Sequence, residues 1–525
     1  MTASLKSVAD TGSGDHVANE TAAGSTTSMP SASLSDSPAS RQPIVKRISS
    51  FSALLAMLLV TALFAALREF RVDPDVWWHI KFGRDILLTH HWPTTETFSF
   101  TAPGAPWMEY EWLGDVLLAV ADRAWGLRGL MLLDFVLGSA VLLALYGLAS
   151  LRSHNSKAAF VTCGLFLLLA AIPFNLRPQM LGYLFLTLTL IILERFRQGR
   201  RGTLWLLPLL FLVWVNAHGT FVVGLFVFFV YGISGLFKFR PGNLESVLWA
   251  PRERVSLGLA FFASLVALTV TPYGPRLVGY VLELIFMRPL NMASIQEWRP
   301  MPFDLDFGKL FLALLIGFVL AQVVLRLTWQ LPEALLFLVG IAEVCIHVRF
   351  LLIFVPFSVP LFAVILSRWI PPYDPGKDKY ALNALLMIAV VAGIVLFFPS
   401  QAQLESYRAE RWPVQTVRYI EQHSLPGPVY NTYGYGGYLD YAFHGRWKVF
   451  IDGRTDAYEL NNVLADYMNI ARVSPDALAL LRSYGVQSCL LHRDEPLATL
   501  LAASSQWERV YADEQSVIFV RKRLF

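Results

Sequence analysis

This sequence is poor in charge. Asp, Glu, Lys and Arg make up 16% of its 525 residues, against about 25% in ordinary soluble domains, while 55% are hydrophobic and the mean hydropathy is +0.49. A water-soluble globule of this size is excluded, and a polytopic membrane protein remains. Cysteine is as scarce. Cys163, Cys345 and Cys489 stand far apart, two of them inside apolar runs, so they match no metal-ligand spacing and support no disulfide framework. Large apolar side chains are almost missing from residues 1–45, which are rich in Ser, Thr, Ala, Gly and Asp. That stretch cannot bury enough surface to fold and lacks the short n-region and h-region of a cleavable leader, so it reads as a disordered tail.

What the chain has in quantity is apolar run length. A helix needs about seventeen or more apolar residues to cross a bilayer. Runs of that order fall at 51–67, 130–150, 157–173, 180–196, 203–217, 220–237, 255–271, 308–326, 331–346, 350–367 and 380–398, about eleven spans. The first lies behind Lys46 and Arg47 and reads as a retained anchor with its N-terminal end in the cytoplasm. From that start, the loops at 151–157, 194–202, 238–254, near Arg326 and at 368–379 are cytoplasmic, and they are the most basic in the chain, as the positive-inside rule requires. The register holds if Glu111–Gly126, charged at Asp115, Asp122 and Arg123, lies in the interface instead of crossing. The expected domains are then the tail (1–45), a membrane domain (46–398) with a first external loop at 68–128, and a domain outside the membrane (399–525).

The opposite set of loops gathers polar residues flanked by Pro, Gly and Trp. They are Asp73–His79, Glu109–Trp112, Asn175–Gln179, Asn216–Gly219, Thr271–Gly274, Gln296–Pro300 and His347–Phe350. Ionisable groups at membrane depth are costly, so a set of them on one face reads as a site open to the outside. The first of these loops is the most informative. Asp73 can cap a helix opened by Pro74, Asp75 falls in its first turn, and His79 follows at i+4 on the same side. Trp78, Phe82 and Ile86 form one apolar line and Val76, Ile80 and Leu87 another, while Lys81, Arg84 and Asp85 call for water, so the helix is expected to lie in the interface.

Residues 399–525 turn soluble. Helices are expected at 414–423, 462–472, 474–484 and 496–506, and strands at 429–432, 448–452, 487–492, 509–512 and 516–520, the last two as a hairpin. This alternation indicates a small α/β domain.

Four stretches, Asp-Pro-Asp-x-Trp-Trp-His (73–79), Pro-x-x-x-x-Phe-Ser-x-Thr (93–101), Trp-x-x-x-Glu-Trp-Leu (107–113) and Val-Phe-Ile-Asp-Gly-Arg-x-Asp (449–456), together resemble the bacterial RgtA/B/C/D-like glycosyltransferases. The order of a first span, an acid opening an interfacial helix and a second helix before the next span is similar to that of the GT-C membrane glycosyltransferases. Within them it resembles the aminoarabinose transferase and protein O-mannosyltransferase families. The resemblance covers residues 50–525. It implies a GT-C fold in a bacterial inner membrane, with the C-terminal domain periplasmic. It also implies transfer of a hexose or pentose from a polyprenyl-phosphate donor to an acceptor hydroxyl on a glycan, lipid or protein. No nucleic-acid partner is expected.

By the same resemblance Asp75 is the general base, with Asp73, His79 and Glu111 beside it in the reactive centre. Arg177 and Arg349 suit a leaving phosphate as forked donors, or else pair with carboxylates or snorkel to headgroups. Glu109 and Glu111 with Asp75 suit a divalent cation such as Mg or Mn, although acids also start helices. His218 and His347 stand at turns and Glu297 in the same outer set; all three are carried as substrate-binding candidates. Tyr435, within Tyr433–Tyr438, belongs to a Gly-Tyr loop that either closes over a sugar or turns within a packed domain. Asp452 and Arg454 after a strand either face a ligand or lock the domain to the membrane part. Two other classes compete: a transporter or flippase of lipid-linked glycans, and a non-catalytic envelope-assembly protein. Against transport, no internal repeat is seen, and no acidic or basic residue stands in the middle of a predicted span except Glu343, near an end.

Overall fold

A computed structural model describes residues 43–68, 72–170, 175–287, 296–459 and 461–522, so the expected tail lies almost wholly outside it. Each of the eleven apolar runs is helical over most of its described length, as backbone in hydrocarbon requires. Their lengths differ from expectation. Leu127–Ser153, Gln179–Arg197, Asp306–Leu325 and Val348–Leu366 are long and apolar enough to cross a membrane. Tyr380–Leu396 joins Gln401–Ala409 across a 56° bend as a fifth candidate. Phe51–Leu67, Ser156–Leu169, Arg201–Trp214 and Phe221–Ser234 are apolar but shorter. The run at 203–217 shows why: it opens as a 3-10 turn (Arg201–Trp205) and its helix stops at Trp214, ahead of the Asn216–Gly219 turn.

The bundle also carries more acid than expected. Asp134 is buried in Leu127–Ser153 with Oδ1 unpartnered among the described residues. Glu333, at the start of Leu331–Ile346, binds Arg152 Nε at 2.5 Å and Nη2 at 3.1 Å and lies 3.7 Å from Arg197. Arg197 is itself forked onto Glu194 at 2.8 and 2.7 Å. These paired charges clamp the end of Gln179–Arg197 remote from the first loop.

The C-terminal part is α/β. Four strands run in the order Val429–Asn431, Ser488–His492, Ser516–Arg521, Trp507–Ala512, the first pair parallel and the rest antiparallel. Residues 448–452 are not a sheet strand as expected; they make one isolated bridge, Val449 to Ser99 of the first loop. Residues 433–438 are not a loop either. They open the helix Tyr433–Ala442, whose Gly436 and Gly437 lie where a Cβ would run into Asp452 and into Pro74 and Trp78. Gly437 lets this helix approach the first-loop helix Asp75–Thr89, and Gly436 lets it approach the backbone at Ile451 and Asp452.

That contact covers part of the face of Asp75–Thr89 that was expected to meet water. Val76 through Gly83 are all buried, Lys81 among them. Its ammonium pairs with Asp85 and sits 4.6 Å over the Phe98 ring. A helix with a wet face was expected because the pattern could not show that distant segments cover it.

Candidate active site

Asp73 caps as predicted: its Oδ1 accepts the Asp75 N–H at 3.0 Å and its carbonyl accepts the Val76 N–H. The same carboxylate meets Arg177 Nη2 at 2.6 Å, and that nitrogen also lies 3.1 Å from Asp75 Oδ2. Arg177 Nη1 reaches Glu297 Oε1 at 3.6 Å, and Glu297 Oε2 reaches Arg349 Nη1 at 3.3 Å. One chain of charges thus joins the first loop to three distant turns. His347 stands at its edge, its ring nitrogen Nδ1 2.6 Å from the Trp298 carbonyl, holding the turn that carries Arg349. Asp75 keeps 21% of its side-chain surface exposed. The surrounding protein still pushes its pKa up to about 6, through burial first and Asp73 second, with Arg177 opposing.

A second chain lies beside the first. Thr220 donates its N–H to His218 Nδ1 at 3.1 Å. The neutral ring therefore carries its proton on Nε2 and donates to Glu111 Oε1, 3.1 Å away. Glu111 Oε2 lies 3.6 Å from His79 Nε2, and His79 Nδ1 is hydrogen-bonded with Asp115 Oδ1 at 2.6 Å. Burial drives the His79 pKa well below the usual imidazole value and that of His218 to about 3, with Arg177 adding to both and Arg349 to the second. Burial, and then neighbouring carboxylates, hold Glu111 and Asp115 well above the carboxylate range. Burial likewise raises Glu109 to about 8. Arg349, Arg177 and Asp75 all act electrostatically on Glu111, so the two chains form one polar centre.

The cation candidates regroup. Asp75 is taken by Arg177 and Glu111 by His218, whereas ligand atoms of His79, Glu109 and Asp115 all lie within 4.8 Å of one another. Glu109 Oε2 and Asp115 Oδ2 are buried without a hydrogen-bond partner among the described residues. Asp115 was legible only as a charge that kept its helix, Trp112–Trp125, out of the membrane; its pairing with His79 spans a distance no local pattern encodes.

Asp452 and Arg454 do not face this centre. Both are buried; Arg454 Nε donates to Asp452 Oδ1 at 2.9 Å and Nη2 to Glu96 Oε1 at 2.9 Å. The guanidinium stands 5.1, 5.2 and 5.1 Å from the ring centroids of Phe82, Phe98 and Trp107. Of the two openings left for this pair, the geometry takes the lock. Between its members, however, Gly453 lies against the Asp75 carboxylate: a Cβ there would overlap Oδ1. Tyr433 donates its hydroxyl to the Gly453 carbonyl at 3.2 Å. Tyr435 points the other way, its hydroxyl on the Gln515 carbonyl at 2.9 Å.

Compared with known protein families and with functionally described proteins, the sequence matches none. Solved structures do match. The apo oligosaccharyltransferase of Archaeoglobus fulgidus superposes at a TM-score of 0.50 with 13% identity, over 89% of this chain and 74% of that one. ArnT from Cupriavidus metallidurans, bound to undecaprenyl phosphate, superposes at 0.51 with 14% identity, over 90% of this chain and 98% of that one. The fold of this chain is the GT-C fold those two transferases share.

Proposed function

We propose that this protein is a membrane glycosyltransferase that moves a sugar from a polyprenyl-phosphate donor to an acceptor hydroxyl, with Asp75 as general base. The observation that carries the reading is the Asp75–Arg177 pair. A carboxylate with a pKa of about 6 is held 3.1 Å from a half-buried guanidinium at the mouth of a GT-C fold. That fold is shared with a structure that holds undecaprenyl phosphate.

The residues divide the work. The acceptor oxygen attacks the anomeric carbon while its proton passes to the Asp75 carboxylate. The bond from that carbon to the phosphate oxygen breaks, and the electron pair leaves with the lipid phosphate. Positioned base catalysis of this kind contributes about 10²–10⁴-fold. Arg177 and Arg349, joined through Glu297, are the donors for the developing negative charge. Asp73 fixes both the start of the helix and the guanidinium, so it orients without reacting. His218 and His79, neutral, hold Glu111 and Asp115 in place.

Asp73, Asp75 and Glu297 already outnumber Arg177 and Arg349, so a phosphate needs further positive charge nearby. His79, Glu109 and Asp115, with their two orphaned carboxylate oxygens, fit a divalent cation, which when bound supplies that charge. We place the reaction on the outer face of a bacterial inner membrane, following the basic loops. The test is transfer of labelled sugar from a polyprenyl-phosphate donor in reconstituted membranes. Asp75→Asn should abolish it at unchanged abundance; equal rates from the variant and the native protein would overturn the proposal.

A further inference from the structure

A groove of about 430 Å³ opens at the N-terminal end of the first-loop helix, with Pro74 on its wall. This is within the range of small-ligand sites, roughly 300–1,000 Å³. It adjoins the reactive centre through Pro74, the residue before Asp75. Thr432 and Gly434 also line it, and the residue between them, Tyr433, binds the carbonyl of Gly453, the glycine that touches Asp75.

The three glycines of the helix Tyr433–Ala442 are the clue. Glycine inside a helix costs about 1 kcal/mol relative to alanine. Gly436 and Gly437 are explained by the close approach of neighbouring backbone. Gly434 is not: a Cβ there would meet nothing within 4 Å. What its bare α-carbon preserves is the open space of the groove.

The remaining walls are of mixed character. Arg411 and Asp494 place a guanidinium and a carboxylate in the groove, neither in an ion pair among the described residues. Trp412 and Tyr435 add aromatic rings. Separate heads of both signs beside aromatic rings suit a ligand that donates to a carboxylate, accepts from a guanidinium and presents C–H faces to rings. A hydroxyl-rich glycan does all three. A lipid tail would leave Arg411 and Asp494 unused, and a peptide has no strand edge here to pair with, since the parallel strand Val429–Asn431 ends before the groove.

We propose that this groove holds the acceptor during transfer and that the acceptor is the hydroxylated end of an oligosaccharide. The proposal rests on the glycosyltransferase reading above and goes beyond it in naming the acceptor class and its seat. The test uses the full-length protein in detergent with bacterial cell-envelope oligosaccharides freed of lipid by mild acid. Binding is read by tryptophan fluorescence and by calorimetry, and transfer is read separately.

Gly434→Leu puts a bulky side chain into the groove at a position where a Cβ meets nothing within 4 Å; it should weaken oligosaccharide binding tenfold or more, with undecaprenyl phosphate binding and thermal stability retained. Gly434→Ala should stay within about threefold of the native protein, and Asp494→Ala should weaken binding in the same direction as the leucine variant. Asp75→Asn should bind oligosaccharide normally yet not transfer. Oligosaccharide binding that ignores Gly434→Leu, or saturation by a Ser/Thr peptide but not by oligosaccharide, overturns the groove assignment. Binding that obeys these variants in a native protein that never transfers sugar overturns the enzymatic reading instead.

Discussion

Gly453 lies against the carboxylate of Asp75 so closely that a methyl group on its α-carbon would overlap Oδ1 and crowd the indole nitrogen of Trp78. The Asp75 side chain is aimed by the lack of a side chain opposite it. Gly453→Ala is therefore expected to lower transfer about a hundredfold, the scale associated with a 1 Å misplacement of a reacting group. Donor binding should persist. Initial rates alongside undecaprenyl phosphate titration check this, and a variant as fast as the native protein would refute it.

The pH dependence follows from Asp75, whose pKa is about 6. The base acts when ionised, so kcat/KM should fall tenfold per unit as pH drops below about 6. The Arg177 guanidinium lowers this pKa. Arg177→Met should thus move the acid limb to higher pH, besides weakening the donor. Arg349→Met, whose guanidinium pairs with Glu297, should leave the limb where it is.

Arg454 tests the lock. Its side chain is 1% exposed and balances Asp452 and Glu96, which are wholly enclosed. Arg454→Met leaves two buried carboxylates without their cation and should cost about 3–5 kcal/mol of stability. Thermal unfolding and abundance in membranes report it. A ligand-facing arginine would instead raise KM in a protein of normal stability.

The cation site makes a prediction independent of turnover. Elemental analysis of protein equilibrated with Mn(II) should find bound metal, and Asp115→Asn or Glu109→Gln should reduce it. Saturation at 100 times Kd stabilises the folded state by about 2.7 kcal/mol, so the melting temperature should rise with Mn(II) in the native protein and not in the variants.

The sequence was most readable where the physics is local. The Asp73 cap and its helix follow from cap and helix rules, and the C-terminal hairpin from alternation. Loops brought together at one end of the bundle, Asp73 to Arg349, were legible from charge placement relative to apolar runs. What stayed hidden depends on pairs far apart in the chain. Lys81 looked solvated because Phe98 and the helix Tyr433–Ala442 come from elsewhere. Asp452 and Arg454 looked available because Glu96 is not near them in sequence. The glycines of 433–438 looked like a loop, since close approach of a second helix leaves no mark except the missing side chains.

The bridge from Val449 to Ser99 and the contact of Gly453 with Asp75 have a temporal consequence. During synthesis the first loop emerges hundreds of residues before the segment that holds its carboxylate, an interval on the order of tens of seconds at ribosomal speed. A nascent chain therefore lacks the contact that holds Asp75, and on the glycosyltransferase reading transfer waits until translation has delivered the far partner.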